Sequence, residues 1–154
     1  MKTKVLKSVK HATLLLFLLL IGYSCSDDVV GLQSKVIPIT IKERDWTWDN
    51  DAGRYEVIVD LPEMSNYIYE KGTLNGYVFI GQQGVNEVQK ALPYVHTYFE
   101  GVDDDGFDIK YTETISCDFM YGTPSTVAFY IQASELFRND DILSDYNFKI
   151  VLNY

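Results

Sequence analysis

Tyr146-Asn147-Phe148-Lys149-Ile150-Val151-Leu152-Asn153-Tyr154 closes the chain with the pattern that decides its fold. Tyr146, Phe148, Ile150, Leu152 and Tyr154 fall on one side of an extended backbone, and Asn147, Lys149, Val151 and Asn153 on the other. A period of two, rich in aromatic and β-branched residues, marks a strand with one face in a core. The same pattern recurs upstream. Val127, Phe129 and Ile131 alternate after the break Gly122-Thr123-Pro124, and a short turn or helix is expected at 134–138. Over residues 108–121, Tyr111, Ile115, Cys117, Phe119 and Tyr121 alternate with Thr112, Thr114, Ser116 and Asp118.

Further upstream, residues 92–100 form a strand and 101–107 a turn, while the apolar run 77–80 suits a central strand. A polar loop is expected over 81–90. Tyr55, Val57, Val59 and Leu61 alternate with Glu56, Ile58 and Asp60, and Asn50-Asp51-Ala52-Gly53 turns this strand back on Trp46 and Trp48 as a hairpin. Ile37, Ile39 and Ile41 share a face of the first strand, and the phase slips at 43–45. Ser65 can cap a single helical turn over 66–71, and Gly72 can end it in a left-handed conformation. Seven or eight short strands without a long helix or a repeat define an all-β fold. One-sided alternation with hairpin turns predicts an antiparallel β-sandwich, immunoglobulin-like or jelly-roll-like, with a small closed barrel as the alternative.

The N-terminus addresses location. Lys2, Lys4, Lys7 and Lys10 precede an apolar run at 14–21, too short to span a bilayer. The run stops at Ser24-Cys25-Ser26-Asp27-Asp28. A basic start, a short apolar middle and a cysteine at the cut point predict a lipoprotein signal over 1–24 and acylation on Cys25. A polar tether over 25–34 then leads into a single domain over 35–154. Acyl chains anchor a protein through about 0.8 kcal/mol per buried CH₂. The two acids after the cysteine resemble the short acidic tag of surface lipoproteins in the Bacteroidota, which implies display on the outer face of the outer membrane.

Composition excludes several classes. The whole chain holds 13 basic and 22 acidic residues, and the signal carries four of the bases and no acid. Residues 25–154 therefore carry 9 − 22 = −13. That excludes nucleic acid as a partner, which needs a basic footprint, and electrostatic docking on a membrane. Lipidation of Cys25 leaves Cys117 without a disulfide partner; it sits on the apolar side of its strand, where free cysteine packs as core.

Catalytic equipment is sparse, and a non-catalytic protein without a cofactor or metal is expected. His96 is the one histidine beyond the signal, which rules out HExxH, and no GxSxG elbow is present. If His96 lies opposite Thr112, Cys117 is roughly 17 Å further along, at about 3.4 Å per residue, so the two cannot form a dyad. Asp103-Asp104-Asp105-Gly106-Phe107-Asp108 invites calcium, but EF-hand spacing puts Gly101 and Thr112 at the two essential ligand positions. An acidic hairpin turn with Gly106 in the left-handed position is the favoured account, with a looser calcium site between strands as the alternative.

The aromatic surplus is the strongest functional signal. Tyrosine occurs 12 times, and sugar-binding faces combine stacking rings with polar side chains. Tyr94, His96 and Tyr98 share one side of a strand. With His96 opposite Thr112 they project outward; one residue of slip exchanges the faces and makes them core. The pattern leaves both registers open. Tyr67 and Tyr69 beside the short helix are a second candidate. Trp46 and Trp48 are expected in the core.

Taken together, Asp45-Trp46-Thr47-Trp48, Arg54-Tyr55, Asp60-Leu61-Pro62, Gly72 before a strand, Leu92-Pro93-Tyr94 and Phe148-Lys149-Ile150-Val151-Leu152 look familiar. The chain resembles small single-domain surface lipoproteins of the Bacteroidota that have no assigned activity. The resemblance implies location and a one-domain fold, and transfers no functional residue. The expected role is a surface-anchored protein binding an extracellular ligand, a glycan first. The alternative is an envelope structural or assembly component that meets another protein through a strand edge.

Overall fold

The structure is a computed structural model that describes residues 31–154, so the signal at 1–24 and Cys25 lie outside the described residues. The strands are β1 (Ser34–Ile41), β2 (Thr47–Asp49), β3 (Arg54–Asp60), β4 (Thr73–Ile80), β5 (Val88–Ala91), β6 (Tyr94–Val102), β7 (Asp108–Met120), β8 (Thr126–Ala133) and β9 (Tyr146–Asn153). One helix, α1 (Asn66–Lys71), and 3-10 turns at Glu43–Asp45 and Asp140–Ile142 complete the described elements. Four strands pair in the order β1-β9-β4-β5 and five in the order β2-β3-β8-β7-β6. Every pairing is antiparallel. The two sheets pack face to face and do not close on themselves. The fold is a β-sandwich, not a barrel.

The alternating positions meet between the sheets. Phe148, Ile150 and Leu152 of β9 and Val78 of β4 are buried against Val127, Phe129 and Ile131 of β8, Ile115 of β7 and Tyr55 of β3. The rings of Phe129 and Phe148 touch across the gap with centroids 4.2 Å apart. Each such side chain contributes about 1.5–3 kcal/mol by leaving water. The hairpin at 50–53 forms as expected, with Trp48 paired to Tyr55 and Gly53 left-handed at φ 62°. The phase slip of the first strand is the 3-10 turn at Glu43–Asp45.

Two local expectations are corrected. Ser65 caps α1 by accepting from the Ile68 N–H at 3.3 Å, but Gly72 is extended, at φ −86°. Its glycine is required by space: a β-carbon would stand 2.6 Å from the Ile68 carbonyl oxygen and 2.7 Å from that of Asn153. The loop expected over 81–90 instead runs into β5, an exposed edge strand whose lack of an apolar face hides it from a periodicity reading.

The strand directions give the sandwich two distinct ends. At one, β1 begins opposite the end of β9 and β4 begins beside them. There α1 seals the core with Ile68, together with Leu61 and Met64. At the other end β1 finishes opposite the start of β9, with Ile41 paired to Tyr146. The connection 134–145 crosses between the sheets at this second end.

Candidate functional site

The site is built from the register of β6 on β7. Tyr94 pairs with Ile115, His96 with Glu113 and Tyr98 with Tyr111. This is the register that turns Tyr94, His96 and Tyr98 toward the opposite sheet, while Val95 and Phe99 face outward, 53% and 61% exposed. The three aromatics are nevertheless not core. Tyr94 and Tyr98 are half-buried and His96 is exposed, because the facing sheet stops short of them. β4 ends at Ile80, and Gly81, at φ 98°, turns the chain away.

The gap is a cleft of about 390 Å³. Tyr94, His96 and Tyr98 line it from β6, Glu113 and Ile115 from β7, Phe79 to Gly81 from the end of β4, and Ser144, Asp145 and Tyr146 from the start of β9. The aromatics brace one another. His96 meets Tyr98 edge-on with centroids 4.4 Å apart, and Tyr98 stacks on Tyr111 at 5.0 Å. The Tyr94 hydroxyl lies 3.2 Å from His96 Nδ1.

Glu113 is the residue the alternation pattern passed over. It occupies an inward position of β7, between Tyr111 and Ile115, and is 3% exposed. Its Oε2 accepts a 2.9 Å hydrogen bond from the Tyr98 hydroxyl, while its buried Oε1 has no hydrogen-bond partner among the described residues. Burial pushes the carboxyl above the usual carboxylate range, against the opposing effects of Tyr98 and His96. Burial also raises the Tyr98 hydroxyl, reinforced by its bond to Glu113. The signal was a charged residue in an apolar phase. A half-satisfied buried carboxylate costs stability and so marks a position that a ligand can complete.

Asp145 differs from Glu113. Its Oδ2 takes Lys42 Nζ at 2.7 Å and its Oδ1 takes the Glu43 N–H at 3.0 Å. Lys42 holds its carboxyl below the ordinary range. Asp145 also borders a second, wider cavity of about 740 Å³ that includes Trp46, Trp48, Tyr55, Arg138 and Asp140. Trp46 is buried and Trp48 half-buried, as expected of core positions, yet both reach this cavity. Arg138 grips Asp140 through two nitrogens, at 2.8 and 3.0 Å, and Tyr55 donates to the same carboxylate. Burial, and then Asp140, push the Tyr55 hydroxyl up to about 12.

The other expected residues lie elsewhere. Tyr67 and Tyr69, 63% and 45% exposed, sit on α1 at the opposite end, where Tyr69 stacks on Tyr121 at 5.9 Å. They form no common site with Tyr94, His96 and Tyr98. Cys117 faces inward beneath Gly76, its thiol pushed up to about 12 by burial, and lies along β7 from Glu113, the residue paired with His96. In the turn after β6, Asp103 Oδ1 accepts from the Asp105 and Phe107 N–H groups at 3.0 and 2.8 Å. Among the described residues no three acidic, histidine or cysteine side chains are grouped to hold a metal ion. Compared with protein-family models, curated proteins and solved structures, the chain matches none.

Proposed function

We propose that the protein is a non-catalytic binding module, anchored at the cell surface through acylated Cys25, whose cleft takes an extracellular glycan. The observation that carries the reading is Glu113: a buried acceptor with one unmet oxygen, set among the rings of Tyr94, His96, Tyr98 and Tyr146. Rings offer faces for the apolar side of a sugar, and a fixed acceptor orients its hydroxyls. The second acid of the cleft, Asp145, has both oxygens engaged, which favours binding over the paired-carboxylate chemistry of glycoside hydrolysis. β1 begins at the end opposite the cleft.

The test is a broad glycan-binding screen, including polysaccharide gels, of the full chain in detergent micelles. Binding that Tyr94→Ala/Tyr98→Ala abolishes, with the fold intact by circular dichroism, is expected. Absence of binding across host, dietary and microbial glycans would overturn the reading. A second reading, an envelope assembly component, draws on β6. That strand is an unpaired sheet edge, and its outward Val95 and Phe99 are exposed. Envelope proteins that co-purify with the native chain and are lost on Val95→Lys/Phe99→Lys would support it.

A further inference from the structure

We propose that the group the cleft places on Glu113 is an ammonium, so that it selects amine-bearing ligands, deacetylated amino sugars among glycans, over neutral or acidic counterparts. The sugar part of this inference rests on the glycan reading; the amine part does not. Oε1 is buried and unpartnered among the described residues while Oε2 is already taken by Tyr98, so a ligand that binds the ionised carboxylate must bring a donor. A neutral hydroxyl supplies one hydrogen bond. An ammonium supplies a hydrogen bond and the missing charge, and such charge-assisted bonds are about twice as strong as neutral ones.

The surroundings point the same way. Tyr94, Tyr98 and Tyr146 border the space beside Glu113, and aromatic faces attract cations, more so where water is excluded. The same chemistry operates elsewhere on this chain. Lys149 Nζ lies 4.7 Å from the centre of the Tyr77 ring and Arg54 caps Tyr130 at 3.6 Å. The charged and titratable groups facing Glu113 are Tyr98 and His96 from β6 and Tyr146 and Asp145 from the opposite sheet. Asp145 is already matched by Lys42, which leaves Glu113 as the acid in the cleft without a salt bridge among the described residues, with His96 the neighbouring group that favours its charged form. An acidic sugar would bring a like charge to a buried carboxylate on a chain of net negative charge, which is penalised. Because burial raises the Glu113 carboxyl, an ammonium ligand binds more tightly as pH rises through that raised value.

The test uses four probes on the full chain in micelles, by titration calorimetry in buffers from mildly acidic to neutral pH: the β-1,4 tetramer of glucosamine, its fully N-acetylated form, cellotetraose and spermidine. The glucosamine tetramer is expected to bind at least about tenfold more tightly than the acetylated and neutral tetramers, and Glu113→Gln to erase that preference. If the variant folds poorly, the wild-type preference is measured again at high salt, where attraction between a polycation and the acidic surface is screened while a contact to a buried carboxylate persists; loss of the preference there overturns the amine inference. Equal or tighter binding of the acetylated tetramer or cellotetraose overturns the amine inference and leaves the glycan reading standing. Spermidine binding without any sugar binding keeps the amine inference and overturns the glycan reading. Binding of no probe overturns the amine inference.

Discussion

The Tyr98 hydroxyl donates a 2.9 Å hydrogen bond to Glu113 Oε2 and is, among the described residues, the one side-chain partner of an acid that is 3% exposed. Burial raises the Glu113 carboxyl above its unfolded value. Across the pH range between the two values the folded chain holds a proton that the unfolded chain has released. Stability from this group therefore falls as pH rises from about 4.3 through the raised folded value. Glu113→Gln removes that dependence. Thermal melts from about pH 4 to pH 8 should show the variant gaining on the wild type as pH rises, by about 1 kcal/mol at neutrality. A constant or shrinking difference would sink this account.

Tyr98→Phe acts on the other partner. It leaves the buried carboxyl with no donor, and a loss of about 1–3 kcal/mol is expected in urea unfolding. The same substitution made on Glu113→Gln should cost clearly less, because the group left stranded is now neutral. Equal losses in the two backgrounds would show that the hydroxyl's contribution does not depend on the charge of Glu113.

Glu113 also shows where sequence reading stops. Alternation in β3, β8, β9 and the second half of β7 is plain because inward positions there meet core neighbours, and Phe129 against Phe148 is the result. β5 was invisible because an edge strand with both faces wet needs no apolar phase. The register of β6 was undecidable because Tyr94, His96, Tyr98, Val95 and Phe99 offer apolar surface on both sides of one strand. The structure resolves it against β7 and turns the polar rings inward, where the short β4 leaves them uncovered. Tyr94, His96 and Tyr98 were therefore legible as a strip of one strand, but the acid completing their cleft lay on the neighbouring strand and the far wall on β9.

Gly76 and Cys117 form a second pair whose contact can be tested. A β-carbon on Gly76 would run into the Cys117 thiol, so Gly76→Ala should cost about 1–3 kcal/mol through overpacking. Cys117→Ala opens that space, and the double variant should recover most of the loss. With its thiol raised to about 12, Cys117 should resist thiol reagents in the native chain and react on unfolding. Rapid native labelling would contradict the inward placement.

The two ends of α1 separate conformational from steric need. Ser65→Ala removes the acceptor for the Ile68 N–H and should cost about 1 kcal/mol. Gly72 differs in kind. It is extended rather than left-handed, so any residue could adopt its backbone angles; what it lacks is room beside two carbonyl oxygens. A left-handed glycine would tolerate asparagine better than alanine. Here Gly72→Asn should destabilise at least as much as Gly72→Ala, each by about 1–3 kcal/mol, because both introduce the β-carbon that collides with the Ile68 and Asn153 carbonyl oxygens. Chemical denaturation of the two variants side by side checks this, and a clear advantage for asparagine would mean that the end of α1 is held by backbone conformation after all.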